Sequence, residues 1–258
     1  MLHRTFPGSA VLALALAIPT ISTGQITPPP QQWSTVTSTQ IKPEFRTEYE
    51  AVQKEITAAY KKAGVPYRLV VQTLYGDINE YVSIAPLGKF ADLDGPSVLV
   101  KTLGDAASQK LLKRITGYVL SMHRVTDLAM PDVSIETPGD PGEYAHVAVY
   151  HILPGKGAAF TSFLKSDYLP AMKKAGVANL WVSRPIFGGD LDDRVLVRPL
   201  HKLAELDAGP LTTKALGPEG AQKLGALQAT IVGSVHYSIV RIRTDLSLLP
   251  AAPPKPTN

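Results

Sequence analysis

The chain contains no cysteine. Disulfide staples, thiolate metal sites and a cysteine nucleophile are excluded, and so is the lipid-bearing cysteine of a bacterial lipoprotein. No run of Lys and Arg interleaved with aromatics occurs, and the formal charge of +4 is small and dispersed, which argues against nucleic acid as a partner. The chain also lacks a Gly-x-Ser-x-Gly elbow, a His-Glu-x-x-His, a His-x-His and any carboxylate cluster at ligand spacing, so the expectation is no metal and no serine hydrolase. Gly188-Gly189-Asp190 is not followed by a helix opening on Lys-Ser or Lys-Thr and reads as a hairpin turn, not a phosphate loop. The apolar run over residues 10–18 is too short to span a bilayer, and nothing after it is longer.

What is present is globular: 258 residues, 45% hydrophobic and 19% charged, enough for one large domain or two small ones. His3 and Arg4, the apolar run, and then Ser22 and Gly24 have the layout of a secretory signal over residues 1–24. Cleavage near Gly24-Gln25 would place the protein in the periplasm or outside the cell. Residues 25–32 form a Pro-rich tether and residues 249–258 a Pro-rich tail expected to be disordered.

The main organising signal is a repeat. Lys61-Lys62-Ala63-Gly64-Val65 recurs as Lys173-Lys174-Ala175-Gly176-Val177, and further matches follow in the same order, ending with Ser121-Met122-His123 against Ser234-Val235-His236. Two units are expected, residues 33–130 and 144–248, joined by a linker over 131–143. Each reads β-α-β-β-α-β, an α+β ferredoxin-like order. In the first unit Phe45, Tyr49, Val52, Ile56 and Tyr60 make one helical stripe, and Gly64 supplies the left-handed stop. The second unit has a matching stripe ending at Gly176, with Pro170 inside it, which predicts a kink near Tyr168.

The stretch Tyr150-His151-Ile152-Leu153-Pro154-Gly155-Lys156, a helix ending Lys174-Ala175-Gly176, then Trp181 and Gly188-Gly189 resemble NIPSNAP-type domains. More broadly they resemble the dimeric α/β-barrel group, which includes antibiotic-biosynthesis monooxygenases. The resemblance implies two ferredoxin-like units facing sheet to sheet around a central cavity, here within one chain as an internal pseudo-dimer. Such a chain would be a monomer or pair into a homodimer. It also implies a range of activities: cofactor-free oxygenases, haem enzymes and proteins without catalysis.

Candidate site residues follow from strand alternation. Ser121 and His123 share one face of the first closing strand, and Ser234 and His236 share the equivalent face of the second. If those faces line the cavity, the two imidazoles meet there as general base, proton shuttle or haem axial ligand. Arg184 and Arg198, on adjacent strands of the second hairpin, suit an anionic group. Tyr150 and Trp181 suit stacking on an aromatic ligand. His146 and His151 fall on opposite faces of one strand and cannot share a ligand. The leading reading is a secreted barrel binding a small apolar or aromatic molecule without a cofactor. The alternative is a cofactor-independent oxygenase or haem-binding enzyme using His123 or His236.

Overall fold

The computed structural model describes residues 33–137 and 142–249. The expected signal segment, the tether and the tail after Leu249 lie outside the described residues. The first unit runs β1 (Trp33–Ile41), α1 (Arg46–Lys62), β2 (Leu69–Tyr75), β3 (Glu80–Leu87), α2 (Val98–Leu103), α3 (Asp105–Tyr118) and β4 (Val119–Ala129). The second runs β5 (Tyr144–Ile152), α4 (Gly157–Phe163), α5 (Leu169–Lys174), β6 (Trp181–Phe187), β7 (Asp193–Leu200), α6 (Leu211–Ala229) and β8 (Val232–Ile242). The strands close into one antiparallel barrel in the order β1-β3-β2-β8-β5-β7-β6-β4. Two ferredoxin-like units in one chain thus form a complete α+β barrel, joined at the β2–β8 and β4–β6 seams.

The local signals act as their chemistry requires. Gly64 and Gly176 end the first helical stretch of their units at φ +73° and +89°, angles that L side chains avoid. Pro170 cannot donate a backbone hydrogen bond. The helix accommodates it with a π turn over Leu164–Tyr168 and restarts as α5 with the proline in its first turn.

Pairing register separates the two faces of the sheet. Ala148, Tyr150 and Ile152 of β5 pack with Phe160, Phe163 and Met172 beneath the helices. The opposite face looks into the barrel, where Val71, Ala145, Val240 and Ile242 cluster with Leu69, Val82, Val147 and Val197 from both units. The expected central ligand cavity is therefore replaced, at this level of the barrel, by packed aliphatic side chains.

The segments after β4 and β8 exchange between the units. Val133 and Ile135, in the presumed linker, are buried in the core of the second unit, and Ile135 forms a bridge with Leu180. Leu246, after β8, is fully buried in the core of the first unit among Ile41, Tyr49, Val70 and Tyr81. The buried Arg68 donates to Gln53 and Thr57, and Thr57 donates to the Leu246 carbonyl at 2.6 Å, so this strap is also held by a polar network. Arg243 pairs with Glu50 through Nη2 at 2.8 Å, which fixes the start of the strap to α1.

Gly188, between β6 and β7, has φ +79°, and a Cβ there would collide with the Arg124 backbone carbonyl of β4. Gly64 has similar dihedral demands but open space around it. Gly188→Ala is expected to lower the urea midpoint clearly more than Gly64→Ala, whose cost should stay near ~1 kcal/mol.

Candidate functional site

The described cavity with converging chemistry lies outside the barrel, between the sheet of the second unit and its helices. Its volume is about 340 Å³. β5 and β7 make its floor: the antiparallel register sets His146 opposite Arg198 and Ala148 opposite Leu196, so imidazole and guanidinium stand side by side on the helix-facing surface. Tyr237 of β8 lies opposite Ala148, and its ring stacks on His146 at 5.2 Å between centroids. Tyr168 and Met172 supply one wall. The opposite wall comes from Leu206 to Thr212, where Gly209 takes φ +74° and Pro210 precedes α6.

Four ionisable groups lining the cleft have shifted pKa values. Burial pulls the His146 pKa below the ordinary imidazole value, and the neighbouring Arg198 charge adds to the effect. His146 is therefore neutral at pH 7 and available as a base. Burial also lowers the Arg198 pKa from its very high reference, leaving it charged at neutral pH. Arg198 makes no direct ion pair among the described residues, and the Glu205 carboxylate acts on it only from a distance, so a half-buried cation faces the cleft. Burial drives both Tyr150 and Tyr168 above the usual phenol range, and the neighbouring phenols Tyr168 and Tyr237 add to the effect at Tyr150. These two hydroxyls stay protonated and act as hydrogen-bonding partners.

Of the residues singled out from the sequence, Tyr150 and Arg198 line this cleft. The others do not meet there. His123 lies opposite Ser38, and His236 opposite Val149, on the barrel-facing side. Both are exposed, as are Ser121 and Ser234. The expectation of two imidazoles enclosed together is corrected by strand length. β4 meets β6 only from Thr126 onward, and β8 meets β2 only from Ile239 onward, so the earlier halves of both strands run past the closed ring. Trp181 faces the barrel opposite Val197, and Arg184 sits further along the hairpin beside Arg194. His201 is exposed.

Sequence reasoning missed His146 as a site residue, along with Tyr168, Tyr237 and the wall from Leu206 to Thr212. The available signal was the Tyr144–Ile152 alternation, which puts His146 on the same face as Tyr150.

A haem is poorly matched to these residues. The cleft is at the lower end of the ~300–1,000 Å³ typical of small-molecule sites, and Arg198 is the one Lys or Arg lining it for two propionates. The exposed His123 and His236 do not line it.

No family model matches the chain, and no curated protein sequence matches it. Solved structures do. A putative monooxygenase from Lactobacillus acidophilus aligns over 85% of this chain and 96% of its own, with TM-score 0.57 and 8% identity. An anthrone oxidase-like protein aligns over 88% and 98%, with TM-score 0.56 and 12% identity. A putative chlorite dismutase aligns over 83% and 96%, with TM-score 0.53 and 10% identity. At such identities the likeness is one of fold: the chain has the tandem ferredoxin-like architecture of the dimeric α/β-barrel group.

Proposed function

We propose that the cleft of the second unit binds a compact phenolic or otherwise enolisable aromatic molecule and oxygenates it without a cofactor. The observation that carries this reading is the neutral His146 beside Arg198, a cation with no direct ion pair among the described residues, on the floor of a tyrosine-rimmed cleft of mixed polar and apolar lining. His146 takes a proton from the substrate, and Arg198 pairs with the oxyanion that results, so charge develops where a fixed cation already stands. The electron-rich anion is itself the reductant for dioxygen. For a benzylic CH₂ the balance is one O₂ consumed, one oxygen atom entering the product as C=O and the other leaving as water. The shared fold with a putative monooxygenase and an anthrone oxidase-like protein supports the same class of reaction.

Membership of the NIPSNAP-type branch, resting on the run from Tyr150 to Lys156, and export directed by residues 1–24 belong to the same proposal. N-terminal sequencing of the exported protein checks the latter, with Gln25 expected as the first residue.

The test is oxygen uptake on an electrode with a panel of anthrones and naphthols. Uptake by at least one is expected without added metal, flavin or haem. The pH dependence has a definite sign: because the His146 pKa is lowered, activity should hold from pH 8 to about 6.5, the ordinary His value, and fall only below it. Saturable binding with a flat oxygen trace on every compound would favour the non-catalytic ligand-binding reading. A Soret shift on adding haemin, abolished by His146→Ala, would favour haem.

A further inference from the structure

We propose a divalent-cation site at the barrel-facing rim of the second unit, formed by His151, Asp190 and Asp193, and independent of the cleft. His151 is the next-to-last residue of β5, Asp193 opens β7 directly opposite it, and Asp190 reaches in from the β6–β7 loop. His151 Nδ1 lies 3.0 Å from Asp193 Oδ1 and 3.6 Å from Asp190 Oδ2, and one ligand atom from each of the three residues falls within 4.8 Å of the others. Donors held at ~2.1 Å around one cation stand about 3.0 Å apart in octahedral and about 3.4 Å apart in tetrahedral geometry. The two separations from His151 are therefore already close to those of a shared ion, and the two carboxylates, within 4.8 Å of each other, need only side-chain rotation to join it. One imidazole and two carboxylates suit Zn²⁺, Mn²⁺, Fe²⁺ or Co²⁺.

Two further observations bear on it. Asp190, Asp192 and Asp193 crowd one short loop, yet none forms an ion pair with a Lys or Arg among the described residues. His151 is the one basic group paired with them, and the nearby Arg194 gives Nη1 to the carbonyls of Leu191 and Asp193 instead. The three carboxylates thus outnumber Arg194, the permanent cation whose charge acts on Asp192 and Asp193. The repeat supplies an internal contrast, because the first unit holds Gln40 opposite Glu80, and that carboxylate accepts from Thr73 Oγ1. The donor trio is specific to the second unit and is not inherited from the common scaffold. His236, exposed and without a hydrogen bond among the described residues, sits one step along β8 from Ser234, which lies opposite His151. That diagonal is about 7–8 Å, within reach of a long side chain, and makes His236 the nearest further donor.

The test is titration of the full chain, free of any polyhistidine tag and chelator-treated, with Co²⁺ by visible absorption and Zn²⁺ by calorimetry. One equivalent is expected to bind saturably, Zn²⁺ should raise the melting temperature, and His151→Ala, His151→Gln and Asp193→Asn should each weaken binding at least tenfold. His201→Ala, an exposed histidine elsewhere, should bind as the wild type does. Because the substituted side chains are partly exposed, each variant should melt cooperatively near the wild type without metal, which separates lost binding from lost folding. Absence of saturable binding in the wild type, or full affinity and an undiminished thermal shift in both His151 variants, would overturn the site.

Discussion

His146→Gln is expected to reduce oxygen uptake on the best phenolic substrate by ~10²–10⁴-fold, the range a positioned general base contributes. Glutamine keeps hydrogen-bonding capacity and approximate size, so the stacking surface under Tyr237 is largely retained and substrate affinity should change little. The loss should fall on kcat. Arg198→Gln should behave differently: it removes the partner of the developing oxyanion, raising KM and lowering kcat together, and it removes one cause of the low His146 pKa, moving the acid limb of the pH profile upward. His123→Ala and His236→Ala should leave uptake within about twofold, since neither side chain lines the cleft. Steady-state oxygen-electrode kinetics across pH check all four variants.

The second large effect concerns folding. Leu246 belongs in sequence to the second unit but is fully buried in the core of the first, so Leu246→Ala should cost about 2–5 kcal/mol. Leu249→Ala, at a partly exposed position just beyond, should stay within about 0.5 kcal/mol. Urea denaturation measures both. The exchange of straps goes further: a chain cut between residues 143 and 144 gives two halves, each missing a core segment that the other carries. Each half expressed alone should aggregate or stay unfolded, while co-expressed halves should recover one cooperative transition. Acid should act on the same strap. The Arg243 hydrogen bonds hold the Glu50 carboxyl below its ordinary range, so its stabilisation is complete above the unfolded value of about 4.3 and is lost as pH falls through the lowered one.

Much of the barrel was legible because duplication repeats its local signals. Two glycines at matched positions end matched helices, alternating stretches give eight strands, and Pro170 marks where the second helix breaks. Alternation also sorted residues correctly between faces, putting His146 and His151 on opposite sides of β5. It could not say which face carries a space. That depends on how helices roof the sheet, and here the roof opens where Gly209 and Pro210 separate a short 3-10 turn from α6, far in sequence from His146. For the same reason His123 and His236 looked enclosed: their register within a unit was readable, but not how far the seams between units extend. His151 and Asp193 meet across strands separated by 42 positions, a spacing no short metal motif describes. Nor did the Pro- and Gly-rich composition of 131–143 disclose that Val133 and Ile135 are core residues of the unit that follows.

The most direct measurement is a crystal structure of the full chain soaked with anthrone under anaerobic conditions. Density is expected between His146, Tyr237 and Arg198, with the anthrone oxygen facing the guanidinium and the reacting carbon near the imidazole. Density inside the barrel beside Val147 and Val240, or against His123 and His236, with the helix-side cleft empty, would contradict the placement of the working site.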